Sequence, residues 1–269
     1  MTATTAFRPI TALVAVTYLS MVTVNTLANV LPINGDRTGD VSEAYPNLFA
    51  PAGYAFSIWG VLYLLLAVHV LYQFGLFRAG PPSSDRAALL DKVGLYFSIS
   101  SLPNVAWVFA WHYDVIWLSV LLIVVILVCL VVITRTVVTA GLTTREKLYI
   151  GVPFSVYFGW ITVATVANTT VFLVSLNWDG FGLAESTWAV VILLVAAAIG
   201  TAAMLRNRDV VYGVVLLWAY TAILVKHLST GGFDGSYPQV IATVIACLVV
   251  FVAAAAVLLI RRRREPALT

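Results

Sequence analysis

Aromatic and carboxamide side chains recur at helical spacing on three apolar stretches of this sequence. The first stretch carries Phe56, Trp59 and Tyr63 at positions i, i+3 and i+7, after Pro51. This spacing places the three rings on one face of a helix. Such rings can stack on a flat aromatic ligand, but an aromatic stripe is also ordinary helix packing, so this face gains meaning only from the other two.

The two later stretches repeat the spacing and add carboxamides. The residues of the second stretch stand at i, i+3 and i+7: Asn104, Trp107 and Trp111. Those of the third stand at i, i+3, i+7 and i+11: Tyr157, Trp160, Ala164 and Asn168. An asparagine in hydrocarbon must find a hydrogen-bonding partner. The pattern therefore fits either an aromatic pocket with a few polar anchors or asparagines that hydrogen-bond between helices.

The composition assigns these stretches to a membrane. Of the 269 residues, 61% are hydrophobic and 10% are charged, and the mean hydropathy is +0.98. Soluble domains carry about a quarter charged residues, and a spanning helix needs about 20 apolar residues. We therefore predict an all-α polytopic membrane protein with eight transmembrane helices, near residues 10–31, 52–77, 93–111, 115–138, 148–175, 187–205, 210–228 and 238–260.

The charges of the connections predict an orientation. Lys and Arg occupy both ends and every second connection, whereas the alternate connections are mainly acidic. Because basic connections face the cytoplasm, both termini are predicted to be cytoplasmic, which requires an even number of spans. The basic residues that carry this prediction are Arg8, Arg78, Arg86, Lys92, Arg135, Arg145, Lys147, Arg206, Arg208 and Arg261 to Arg264.

The predicted topology also sets the depth of the three patterned faces. The second span descends from the outside, and the third and fifth ascend toward it. At a rise of 1.5 Å per residue, Trp59 lies about 12 Å below the start of its helix, and Asn104 and Asn168 lie about 10 Å below their outer ends. Asn25 and Asn29, an i, i+4 pair, add to the outer half of the first span. The faces are predicted to meet in the outer half of the membrane.

A long connection joins the first two spans on the predicted outer side. Residues 32–51 are rich in Gly, Asn, Asp and Pro, which form turns. Long ordered connections are often binding elements or lids. We therefore expect residues 32–51 to cover the aromatic faces.

Three motifs occur in the order and spacing of a known family. They are Pro51-x-Gly53-x-x-Phe56-x-x-Trp59-x-x-Leu62-Tyr63, Asn104-x-x-Trp107 and Tyr157-x-x-Trp160-x-x-x-Ala164-Thr165-x-x-Asn168. On these motifs, about the first 176 residues resemble the TspO/translocator-protein family, the tryptophan-rich sensory proteins.

The resemblance implies a five-helix bundle with an aromatic cavity closed by the first loop. Members bind tetrapyrroles such as protoporphyrin IX, and some bind sterols; light-dependent porphyrin breakdown has been proposed for bacterial members. It implies a non-covalently bound porphyrin or haem-type tetrapyrrole and a place in the cytoplasmic membrane of a prokaryote. The cavity residues that it implies are Trp59, Asn104, Trp107, Trp160, Ala164 and Asn168.

The resemblance also predicts a division of the chain. Residues 1–176 would form the TspO-like bundle with the lid, and residues 177–269 would add three transmembrane helices and a basic C-terminal tail. These three helices have no counterpart in a five-helix bundle. The stretch after Asn168 lacks the Tyr and basic residue of the proposed sterol motif, so sterol binding is not predicted.

Other chemistries find little support in the sequence. No nucleophile–base set, phosphate-binding loop or metal-ligand spacing is present, and the basic residues give no nucleic-acid signal. Cys129 and Cys247 lie in apolar runs without companion ligands. Lys226, late in the seventh span, resembles a retinal lysine, but no acidic counter-ion lies in the membrane interior. At the predicted outer end of the span, Lys226 is expected either to extend its amine to the interface or to pair with Asp234.

The sequence therefore predicts a membrane receptor for a flat apolar ligand, and the resemblance implies that this ligand is a porphyrin or related tetrapyrrole, with a regulatory or light-dependent role. A small-molecule transporter that uses the cavity of spans one, two, three and five is the alternative, and a packing scaffold is the third hypothesis. The lipid bilayer is the expected environment, and a homodimer is left open. The predicted ligand-binding residues are Phe56, Trp59, Tyr63, Asn104, Trp107, Trp111, Tyr157, Trp160, Ala164, Asn168, Asn25 and Asn29.

Overall fold

The computed structural model describes residues 8–78 and 80–264. Within these ranges it contains eight helices long and apolar enough to cross a membrane, counting the short helical turns before the second and the fifth. The protein is an all-α polytopic membrane protein, which confirms the predicted fold class. The long helices are α1 Pro9–Val30, α2 Ile58–Gln73, α3 Ser84–His112, α4 Ile116–Thr139, α5 Val152–Ser175, α6 Glu185–Asn207, α7 Val210–Leu228 and α8 Pro238–Arg264.

Several helix ends differ from their predicted positions, and two of these differences have a local cause in the structure. Helix α2 ends at Gln73 rather than near 77, because Gly75 and Phe77 adopt positive φ angles of 98° and 65°. Helix α3 begins at Ser84 rather than near 93, where the Ser83 hydroxyl caps it by accepting from the amide of Arg86 at 3.4 Å. The first turns of α3 carry charged residues, so a search for apolar spans passes over them.

The chain packs into two compact units. The first comprises the residues up to Thr38 together with Ile58–Phe158, and the second comprises Gly39–Ser57 together with the residues from Gly159 onward. Helix α5 passes from the first unit to the second after Phe158. The predicted boundary at residue 176 concerns family resemblance rather than packing and stays a prediction. Residues 265–269 of the predicted basic tail lie outside the described residues.

The first unit is stabilised by close packing of its helices and by contacts between aromatic rings. Gly94 of α3 lies so near α1 that an added Cβ would come within 2.9 Å of Val14 Cγ2. Small residues allow membrane helices to approach in this way. On α2, His69 is fully buried, meets the ring of Phe154 at a centroid distance of 4.8 Å, and places Nδ1 3.0 Å from the carbonyl oxygen of Tyr149.

The second unit packs α6, α7 and α8 around buried tyrosines. Tyr220 of α7 donates its hydroxyl to the carbonyl oxygen of Leu193 at 2.8 Å and meets the edge of Phe251 at 4.9 Å. Gly200 of α6 gives Leu216 room, because an added Cβ would lie 2.7 Å from its Cδ1. Close packing of these side chains is the main source of helix cohesion, since lipid offers no hydrophobic driving force.

The segment Gly39–Ser57 of the second unit is attached to α7. The amide of Ala52 donates to the carbonyl oxygen of Ala222 at 3.0 Å. The indole of Trp218 donates to the carbonyl oxygen of Ala55 at 3.1 Å, and His227 Nε2 lies 2.9 Å from the carbonyl oxygen of Leu48. One of the three C-terminal helices therefore holds the second half of the long connection.

Candidate functional site

A buried chain of polar side chains links α1, α3 and α5 in the first unit. Asn25 donates through Nδ2 to Asn104 Oδ1 at 2.8 Å, and Asn104 donates through Nδ2 to the hydroxyl of Tyr157 at 3.2 Å. The Tyr157 hydroxyl in turn lies 3.9 Å from Met21 Sδ. None of the three polar residues is more than 5% exposed. We call Asn25, Asn104 and Tyr157 the carboxamide cluster.

The aromatic face of α2 lies beside this cluster. Trp59 stacks on Tyr63 with ring centroids 5.6 Å apart and an interplanar angle of 25°. The same indole meets Tyr157 at 6.4 Å and 66°, and Tyr18 of α1 donates its hydroxyl to the carbonyl oxygen of Tyr63 at 2.9 Å. The structure therefore brings together five of the predicted residues, from four helices, within the first unit.

Trp107 and Trp111 form a separate pair on α3. Their rings stack at 5.3 Å and 17°, and both residues are buried. The Trp111 indole donates to the carbonyl oxygen of Thr38 at 3.0 Å, and Asn34 donates through Nδ2 to the carbonyl oxygen of His112 at 2.9 Å. The C-terminal end of α3 thus holds the first half of the long connection, as α7 holds the second half.

Other predicted residues belong to the second unit. Phe56 and Trp160 meet edge to face at 6.1 Å and 84°. Trp160 and Asn168 are 3% and 2% exposed, and Ala164 is half-buried. Because the predicted residues are divided between the two units, the convergence of the whole set on one cavity stays a prediction.

Asn29 differs from the other predicted asparagines. Its residue is exposed, and its Nδ2 donates to the backbone carbonyl oxygen of Asn25 at 2.9 Å. The side-chain amide of Asn29 thus finds its hydrogen-bond acceptor on its own helix, as asparagine readily does. A role for Asn29 in ligand binding stays a prediction.

A pocket of about 610 Å³ lies in the second unit, at residues that the sequence did not single out for binding. It is formed by the segment 46–49, the end of α5, the beginning of α6, and the connections that follow α5 and α7. We call it the connection pocket. Its lining residues are Pro46, Asn47, Leu48, Phe49, Thr170, Leu173, Val174, Asn177, Trp178, Asp179, Gly180, Leu183, Glu185, Trp188, Ala189, Ile192, Phe233 and Tyr237.

A family model identifies the relatives of this chain. The model of the family described as TSPO-like protein matches residues 11–258. The chain belongs to this family. The match to the TSPO-like family runs past residue 176 and includes α6, α7 and most of α8, so the family relationship is not confined to the first five helices. No curated protein and no solved structure matches the chain.

Two titratable side chains of this TSPO-like chain, Lys226 and His112, have structural partners. Lys226 pairs with Glu43 at 3.5 Å, whereas the sequence had suggested Asp234. The partner could not be read from the sequence, because Glu43 lies far away along the chain. His112, the last residue of α3, places Nδ1 2.7 Å from the carbonyl oxygen of Val108. Among the described residues, no group of three or more His, Cys, Asp or Glu could hold a metal ion.

Proposed function

We propose that this TSPO-like membrane protein is a receptor for a flat apolar ligand, a porphyrin or related tetrapyrrole, on the face formed by α1, α2, α3 and the first turns of α5. The observation that carries the proposal is the stack of Trp59 on Tyr63, beside the carboxamide cluster. Aromatic rings next to a few convergent polar groups are the usual lining of a small-molecule site.

The aromatic face of α2 and the carboxamide cluster offer a ligand complementary contacts. A flat macrocycle offers its faces to indole and phenol rings, where offset stacking contributes about 0.5–1.5 kcal/mol beyond the burial of area. A carboxamide can make more hydrogen bonds than the two observed at the side-chain amide of Asn104. Asn104 can therefore keep its helix contacts and still bond a polar edge of the ligand.

The proposal includes an orientation. Both termini face the cytoplasm, and residues 32–51 lie on the opposite side, as the distribution of Lys and Arg indicates. The expected location is the cytoplasmic membrane of a prokaryote. A reporter that is active only in the cytoplasm, fused to the C-terminus, should be active; an inactive reporter on a folded protein would contradict this topology.

The direct test of binding is a titration of the purified protein with protoporphyrin IX. Tryptophan fluorescence should be quenched with saturation near one porphyrin per chain, because the indole of Trp59 belongs to the proposed site. For variants, the porphyrin absorption band is the better signal, since it does not depend on the number of tryptophans. Trp59→Ala should weaken binding about tenfold, as expected for the loss of one stacking partner and its buried area.

Trp117→Ala is the matched control, because Trp117 is 56% exposed and belongs to neither the aromatic face nor the cluster. Equal affinities of the wild type and Trp59→Ala would contradict the proposed site. A proteoliposome assay separates a receptor from a transporter: a receptor binds porphyrin without net movement across the bilayer, and saturable net movement would favour the transporter.

A further inference from the structure

The connection pocket has a rigid aromatic wall. Trp178 and Trp188 meet with centroids 4.8 Å apart at 57°, and the Trp188 indole donates to the carbonyl oxygen of Gly180 at 2.6 Å. Gly180 has a φ of 63°, and an added Cβ would lie 2.7 Å from the Trp188 ring. The Trp188 indole therefore packs directly on the backbone of Gly180, where any Cβ would collide with the ring.

A second part of the pocket lining, from the segment 46–49 and the connection after α7, is also held in place. The amide of Phe49 donates to Asn47 Oδ1 at 3.1 Å, and the carbonyl oxygen of the intervening Leu48 meets His227 Nε2 at 2.9 Å. Phe233 lies 4.7 Å from the His227 ring and meets Tyr237 edge to face at 5.6 Å. Both parts of the pocket lining thus carry aromatic side chains, and the pocket's volume falls within the range of small-molecule sites.

The charge of the pocket has one sign. Among the described lining residues, Asp179 and Glu185 are acidic, and neither Lys nor Arg is present. Asp179 Oδ1 accepts from the amide of Phe181 at 3.0 Å, which orients this carboxylate at the beginning of the turn. The nearby cation Lys226 is already paired with Glu43. Aromatic faces and carboxylates both attract cations.

We propose that the connection pocket binds an organic cation with a flat apolar body. The aromatic side chains of the lining stack on the apolar body of the ligand, and the carboxylates of Asp179 and Glu185 attract its positive charge. The site goes beyond the proposed porphyrin site, because a porphyrin with propionate groups is an anion that these two carboxylates repel. It also gives the C-terminal part of the chain a function of its own.

The test uses the full-length protein in phosphatidylcholine nanodiscs and ethidium, a planar aromatic cation, as the probe. Ethidium fluorescence should rise with saturation above the signal of empty nanodiscs. The double variant Asp179→Asn/Glu185→Gln should weaken binding about threefold to tenfold, because each exposed charge contributes modestly. Both substitutions preserve shape, and the carboxamide oxygen introduced in place of the Asp179 carboxylate can still accept from the amide of Phe181.

Asp234→Asn is the matched control for charge, since it removes a carboxylate from the connection between α7 and α8 that does not line the pocket. Asp234 has a positive φ of 46°, a conformation that asparagine also tolerates. Trp178→Ala should weaken ethidium binding about fivefold through loss of a cation–π partner, whereas Trp117→Ala should have no effect.

Any of three results would overturn the proposal. The first is ethidium binding without saturation, and the second is a loss of affinity in Asp234→Asn as large as that in the double variant. The third is displacement of ethidium by the anion 8-anilinonaphthalene-1-sulfonate, if this anion binds with the same affinity as ethidium. The outcome is separable from that of the porphyrin site, because Trp59→Ala should leave ethidium binding unchanged and the double variant should leave porphyrin binding unchanged.

Discussion

The carboxamide cluster and the connection pocket handle polar groups in opposite ways. In the cluster, the side chains of Asn25, Asn104 and Tyr157 are buried and hydrogen-bond to one another. In the connection pocket, the carboxylates of Asp179 and Glu185 belong to exposed residues at the edge of a volume of about 610 Å³. The first arrangement joins helices, and the second leaves charges available to a ligand.

The difference follows from depth in the membrane. A polar group in hydrocarbon has no water to bond, so it is stable only with a protein partner. Groups in the connections are solvated in the absence of a ligand and need no such partner. The cluster must therefore serve helix packing whether or not it also contacts a ligand, whereas the pocket is free to be specialised for binding.

The largest expected effect is the loss of stability on substitution in the carboxamide cluster. Asn104→Leu removes the acceptor of Asn25 and the donor to Tyr157, and it should lower the free energy of unfolding by about 1–2 kcal/mol. Thermal denaturation in detergent measures this change. If the two asparagines act as one unit, Asn25→Leu/Asn104→Leu should cost less than the sum of the single variants. Strict additivity would show that the hydrogen bond between them contributes nothing.

The next effect concerns the wall of the connection pocket. Gly180→Ala should displace the Trp188 ring and weaken ethidium binding about fivefold, because the new Cβ would occupy the position of the indole. Gly182→Ala is the matched control: its φ of 74° imposes a similar backbone strain, but nothing lies within 4 Å of the added Cβ. Equal losses of ethidium affinity in both variants would show that backbone strain causes the effect. The position of the Trp188 ring would then have no role in binding.

Sequence reasoning recovered the eight spans because hydropathy and helical periodicity are local properties. It also identified Asn25, Asn104 and Tyr157, since a polar residue inside an apolar run is visible without a structure. It missed the connection pocket because Trp178 and Trp188 resemble an ordinary interfacial aromatic belt. Only the fold shows that they line one open volume together with Phe233 and the segment 46–49.

The pairing of the charged residues shows the same limit. Asp234, which is close in sequence, was the expected partner if Lys226 formed an ion pair, but the long connection brings Glu43 to Lys226 instead. Non-local contacts of this kind depend on how the connection folds against α7, and no residue pattern encodes that path. The attachment of the connection to Ala222 and His227 was equally invisible.

The smallest expected effect is at Lys226. Lys226→Met breaks a partly exposed ion pair with Glu43, so the free energy of unfolding should change by less than about 1 kcal/mol. The visible absorption spectrum of the protein as purified should be the same in the variant and the wild type. A visible band that disappears in Lys226→Met would instead identify a retinal Schiff base at this lysine.

The position of the porphyrin tests the account most directly. Light absorbed by a bound porphyrin generates oxidants that modify neighbouring side chains, and mass spectrometry of the illuminated complex locates them. The account predicts oxidation of Trp59, Tyr63 and Met21, with Trp178 and Trp188 modified no more than in a sample without porphyrin. Oxidation concentrated at Trp178 and Trp188, with Trp59 unmodified, would contradict it.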